Sequence, residues 1–174
     1  MTDEPPPSRE FRYTLQKPEA VGVRPPRDKA SQQCLAAFIE INGFRAYTLF
    51  DSGSTTDSVS PQTTRIAKLP YFTLENPVTL QLGCVGSHSQ INYGADIVVG
   101  FAGKAADTYV DVVNMDRYDA IMGARFMHKH GICLDFKTKS IIMDGRACPA
   151  LMVGEETAVV NARRGPPRPK KAAE

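Results

Sequence analysis

Asp51 stands at the end of an apolar run, Tyr47-Thr48-Leu49-Phe50, and is followed at once by Ser52 and Gly53. The run has the aromatic and β-branched character of a half-buried strand. A carboxylate at the end of such a strand is costly unless a partner compensates for its desolvation. Asp-Ser-Gly after a strand also occurs in plain turns, where Asp and Ser bond local backbone and Gly takes positive φ. The triplet alone therefore decides little. A symmetry-related copy of the same loop would provide the compensation. Two carboxyls about 3 Å apart cannot both ionise easily, so they share one proton and hold a water between them. One then acts as base toward the water while the other protonates a carbonyl oxygen. Ser52 offers a hydroxyl that can tie two loops together, and Gly53 lets two backbones approach closely.

The elements that must position this loop are mainly strands. "AFIEINGFRAYTLF" alternates and turns at Asn42-Gly43, a strong hairpin signal that leads directly into Asp51. "PVTLQLG", "INYGADIVVGF" and "TYVDVVNM" read as further strands, the last two joined by a turn over Gly100–Lys104. "GICLDFKTKSIIMDG" reads as a terminal hairpin. Two short helices interrupt the strands. Ser60-Pro61 is an N-cap with proline at the first helical position, opening "QTTRIAKL". "ARFMHKHG", Ala124 to Gly131, is the second helix, with a glycine stop.

The ends differ from this middle. Residues 1–33 are proline-rich with few large apolar groups, and are expected to be mostly disordered, with "FRYTL" the one piece that could add a strand. Residues 152–174 read as a basic, proline-rich tail that is either a solvated linker or a weak contact for RNA or another acidic partner. The folded domain is placed at 34–151.

Composition narrows the function. The net charge of +2 is too mild to argue for nucleic acid. Cys34, Cys84, Cys133 and Cys148 form no C-x-x-C pair, so a zinc site has little support, and reduced thiols in a cytosolic or nuclear protein are expected. No apolar run approaches the ~18–20 residues of a membrane span. His128 and His130, beside Cys133, are two residues apart on a helix and do not share a face. There is no G-x-S-x-G elbow, no phosphate-cradling glycine loop and no Cys-His knuckle. No metal or cofactor is expected.

Four segments in order, over about residues 35–145, resemble the retropepsins, the dimeric aspartic proteases of retroviruses and retrotransposons. "IEINGFRAYTLFDSGST" is similar to their first hairpin and active-site strand, and "SVSPQTTRIAKL" to the helix that follows. "LQLGCVGSHSQINYGADIVV" resembles the flap hairpin, and "YDAIMGARFMHKHGICLDF" the late apolar-apolar-glycine signature, helix and strand. The wording is especially similar to the Gag-Pol polyproteins of gypsy-type fungal retrotransposons. The resemblance implies an all-β fold, a closed acid-protease half-barrel with two short helices. It implies Asp51 as the catalytic acid, Ser52 as the residue of the cross-dimer grip, and Gly53 as the motif glycine. Ser54 falls where a small residue faces the carboxyl pair, and its hydroxyl is expected to bond the charged form. Gly83, Cys84, Val85, Gly86, Ser87 and His88 fall in the flap that covers substrate. Ile121, Met122 and Gly123 form the core signature near the active site.

Two-domain relatives of this type carry two such motifs in about twice the length. Here Asp107-Thr108 is followed by Tyr109, and Asp144-Gly145 lacks the hydroxyl, so one chain supplies half a dyad. A C2 homodimer is therefore expected, with a terminal strand of the interface within 139–153. The implied activity is peptide-bond hydrolysis on an extended segment of the protein's own polyprotein. The alternative is a domesticated or decayed domain that dimerises or binds without proteolysis.

Overall fold

The computed structural model describes residues 15–81 and 88–164. Its first hairpin joins β1 (Ala36–Ile41) to β2 (Phe44–Phe50) through Asn42 and Gly43, both at positive φ, 47° and 81°. That is the geometry a tight hairpin between right-twisted strands requires. Asn42 also fastens the turn to a later strand. Its Oδ1 accepts from Val98 N at 2.9 Å, and its own N–H donates to Val98 O at 3.0 Å.

The remaining elements follow in order: β3 (Ser58–Val59), α1 (Pro61–Ile66), β4 (Tyr71–Gln81), β5 (His88–Phe101), β6 (Lys104–Val112), β7 (Ala120–Met122), α2 (Ala124–His130), β8 (Cys133–Asp135), β9 (Ser140–Met143), β10 (Arg146–Pro149) and α3 (Val153–Arg164). The main sheet runs β1-β2-β7-β3-β6-β5-β4. Pairing of Glu40 with Gly100 and Ile41 with Val99 joins β1 back to β5. Six strands thereby close into a barrel, with β4 outside the ring. Closure removes two edges that would otherwise need protection. A second sheet, β10-β9-β8, holds the expected terminal strands and one more, turned at Asp144-Gly145.

The alternation of the sequence places the core. Ile39, Ile41, Phe50, Val59, Ile97, Val99, Val110, Met122 and Ile141 are buried together, and Phe50 and Phe101 rings lie 5.3 Å apart. α1 starts as its sequence requires: Ser60 Oγ accepts from Thr63 N at 3.1 Å, with Pro61 in the first turn. Gly131, at φ 58°, ends α2 in the left-handed conformation.

A third helix, α3, stands where the sequence reads as a linker or tail. It lacks an apolar stripe, which is why hydrophobic periodicity does not reveal it. Its cues are electrostatic: Glu155 and Glu156 in the first turn and Arg163 near the end complement the helix dipole. It docks through polar side chains. Glu156 is 5% exposed and accepts from Tyr47 OH and Gln33 Nε2, both at 2.6 Å. Arg163 pairs with Asp119, the residue before β7. Of "FRYTL", only Leu15 lies within the described residues, and it is exposed and outside any strand.

Candidate active site

Asp51 leaves the barrel where β2 and β7 run parallel, with Leu49 beside Ile121 and Phe50 beside Met122. Its N–H donates to Met122 O at 2.9 Å, and Phe50 N donates to Leu35 O at 3.0 Å. The chain then turns: Ser54 N donates to Asp51 O at 3.1 Å, and Gly53 N donates to Asp51 Oδ1 at 2.9 Å. The carboxyl is thus oriented by its own loop. A Cβ on Gly53 would meet Asp51 Oδ1 at 3.3 Å, close enough to press on the acid. Asp51 is half-buried, while Ser52 and Gly53 are exposed.

Ser54 is half-buried in the turn that follows Asp51. Its Oγ donates to Thr56 O at 2.9 Å, and among the hydrogen bonds of the described residues none joins this hydroxyl to the Asp51 carboxyl. Its hydroxyl is nearest an acceptor within its own turn, so it braces the loop.

Beneath the loop lies Gly123, which precedes α2. A Cβ there would sit 2.5 Å from both Ser54 O and Thr56 O. Ala124 N donates to Ser54 O at 2.8 Å, and Gly123 N donates to Asp57 Oδ1 at 2.8 Å. Asp57 is only 6% exposed. Burial raises its pKa above the ordinary carboxylate range, opposed by the Gly123 and Phe126 amides and by Arg125, and reinforced by Asp111. Sequence reading missed Asp57, because its role depends on a segment 66 residues away.

The late signature divides between two faces. Met122 is fully buried and Gly123 is buried, but Ile121 is half-buried. Strand alternation puts Leu49, Asp51 and Ile121 on the face opposite Phe50 and Met122. Leu49 and Ile121 are thus paired, half-buried apolar neighbours on the face to which Asp51 alternates, and Leu49 too is absent from the sequence-based candidates.

Of the residues expected in a flap, Gly83, Cys84, Val85, Gly86 and Ser87 lie outside the described residues. His88 is exposed at the start of β5, opposite Gln81. On α2, His128 is exposed, whereas His130 lies 4.4 Å from the Phe126 ring, with its pKa lowered first by burial. Among the described residues no group of three or more His, Cys, Asp or Glu could hold a metal ion. No helix among them is long and apolar enough to cross a membrane.

A half-barrel that ends its second strand in Asp-Ser-Gly, locked beneath by a glycine and a short helix, can be compared with known proteins. A family model described as retroviral aspartyl protease matches residues 23–147. The chain belongs to the retroviral aspartyl protease family. Two solved structures are similar to this family member. One is the retroviral protease-like domain of Ddi1 from Leishmania major, 16% identical, covering 71% of this chain and 97% of that one, with TM-score 0.52. The other is the EIAV protease complexed with the inhibitor HBY-793, 15% identical, covering 56% and 88%, with TM-score 0.42. No curated protein matches the chain by sequence. At such identities the Ddi1 likeness concerns the retropepsin fold, not the activity.

Proposed function

We propose that this protein is an aspartic endopeptidase that works as a C2 homodimer, each subunit contributing Asp51. The observation that carries the reading is the loop itself: a half-buried carboxyl held by Gly53 N, beside an exposed Ser52, in a chain with a single Asp-Ser-Gly. One copy is half of a dyad. Two copies related by a twofold axis complete it, with Ser52 of each loop able to reach across.

In the dimer the two carboxyls share one proton. The ionised member takes a proton from a water, which attacks the carbonyl carbon of the scissile bond. The protonated member gives its proton to the carbonyl oxygen, forming a tetrahedral diol. Collapse of the diol breaks the C–N bond as a proton passes to the leaving amine. No covalent intermediate or metal is required. The substrate is an extended peptide held as a strand beneath the flaps. Leu49 and Ile121 favour apolar side chains next to the scissile bond. The similarity of the motif wording to the Gag-Pol polyproteins of gypsy-type fungal retrotransposons supports a polyprotein of that kind as the natural substrate.

The test is cleavage of peptides spanning apolar pairs by wild type and Asp51→Asn, over a dilution series. Specific activity should fall on dilution, because only the dimer holds both acids. Asp51→Asn should lose at least ~10²-fold while remaining folded, since the amide cannot act as a base. A folded, dimeric wild type that cleaves nothing would favour a dimerisation or binding module. Activity independent of concentration in a monomer would reject the shared dyad.

A further inference from the structure

Three consecutive residues, Met122, Gly123 and Ala124, bond to the loop that carries Asp51. Met122 O accepts from Asp51 N at 2.9 Å, and Ala124 N donates to Ser54 O at 2.8 Å. These two bonds join main chain to main chain and need no particular side chain. The third does: Gly123 N donates to the Asp57 carboxylate at 2.8 Å.

The need for that carboxylate follows from the packing. Gly123 occupies the N-cap position of α2, where Ser, Thr, Asp or Asn usually satisfies the free amides of the first turn. The two loop carbonyls, 2.5 Å from a would-be Cβ, exclude any side chain there. The close approach of the loop thus strips α2 of its own cap. Asp57, at the far end of the same loop, provides the missing acceptor: besides Gly123 N, its carboxylate takes the amide of Phe126, the third residue of the helix. It is anchored in turn, because its carbonyl accepts from Asp111 N at 2.9 Å.

We propose that Asp57 is a positioning residue of the active site: by accepting the Gly123 amide it clamps the Asp51 loop onto α2 and sets the direction of the Asp51 carboxyl. The catalytic consequence rests on the protease reading above, whereas the clamp itself rests on the geometry alone. Arg125 on α2 and Asp111 on β6 act electrostatically on Asp57 with opposite sign, and the charge of Asp57 is felt in turn by His130. Asp96, Asp107, His128 and Lys129 line the same open cavity. Among the described residues none forms an ion pair with Asp57. Amides hold this carboxylate, not a cation, so an amide oxygen in its place should serve.

The experiment compares Asp57→Ala and Asp57→Asn in the full chain by two readouts. With a cleavable peptide, Asp57→Ala should lower kcat by roughly 10- to 100-fold with KM within about threefold, as expected for misplaced rather than missing chemistry. Asp57→Asn should keep kcat within about threefold of wild type, because its Oδ1 still accepts the Gly123 amide. Amide hydrogen exchange at Gly123 and Ala124 should accelerate at least about tenfold in Asp57→Ala and stay close to wild type in Asp57→Asn. If wild type cleaves nothing, the protease reading fails, and the exchange readout still decides the clamp. An Asp57→Ala protein with wild-type exchange, or one with wild-type kcat, overturns the proposal. So does an Asn variant as impaired as Ala. An unfolded Ala variant beside a folded, active Asn variant supports the acceptor role, and two unfolded variants overturn it.

Discussion

Replacing Gly123 by alanine tests whether the active-site loop rests on the bare backbone of this residue. The backbone of Gly123, at φ −98° and ψ −165°, is open to any residue, so the cost comes from contact, not from strain. The added Cβ would lie 2.5 Å from Ser54 O and Thr56 O, where ordinary contact begins near 3.4 Å. The loop must retreat by about 0.9 Å or α2 must shift, and overpacking of this kind costs about 1–3 kcal/mol. Retreat also strains the Ala124–Ser54 and Gly123–Asp57 hydrogen bonds, each worth about 1 kcal/mol. Reduced freedom of the unfolded chain returns about 0.4–1 kcal/mol. The net loss of roughly 2–4 kcal/mol corresponds to a melting temperature lowered by about 4–16 °C for a chain of this size. The assay is thermal unfolding followed by circular dichroism, with Gly154→Ala as control. A Cβ on Gly154, in the first turn of α3, meets nothing within 4 Å, so that variant should be neutral or slightly stabilised. Where the loop moves by ~1 Å, kcat should fall by about 10²-fold. A Gly123→Ala protein that melts with wild type and cleaves as fast would refute the packing argument.

Glu156→Ala should destabilise by about 1–3 kcal/mol, because it leaves Tyr47 OH without its acceptor in a buried site, while the Gln33 amide keeps Leu151 O; calorimetry checks the loss, and equal melting temperatures would mean that α3 is not docked in solution. Tyr47→Phe should cost about 1–2 kcal/mol, and the double variant less than the sum, since both residues share one hydrogen bond. For Asp57 the sign follows from its raised folded pKa. The folded protein holds this proton more tightly than the unfolded chain, so the associated stability is full below the ordinary value of 3.8 and is lost as pH rises through the folded value. The melting temperature of wild type minus that of Asp57→Asn should therefore decrease as pH is raised from the ordinary aspartate range toward neutrality. A difference that stays constant or grows with pH contradicts the buried carboxylate.

Much of this molecule is determined locally and could be read from the chain. Asn42-Gly43 makes a hairpin because both residues tolerate positive φ, and that hairpin fixes the alternation that ends at Asp51. Ser60-Pro61 and Gly131 mark helix boundaries through capping, which also needs only neighbours. The acid, its serine and its glycine are contiguous, so the candidate site was legible as a motif. The supports of that site are not local. Asp57 acquires its role only when β7 and α2 are brought under the loop, and burial then makes its carboxylate an acceptor for a distant amide. α3 has no periodic apolar face to announce it, and docks through Glu156 and Arg163 onto Tyr47 and Asp119, partners more than 40 residues distant. Local propensity and alternation thus specified the strands and the acid. Long-range burial of polar groups, which no window of sequence contains, decided what holds the acid in place.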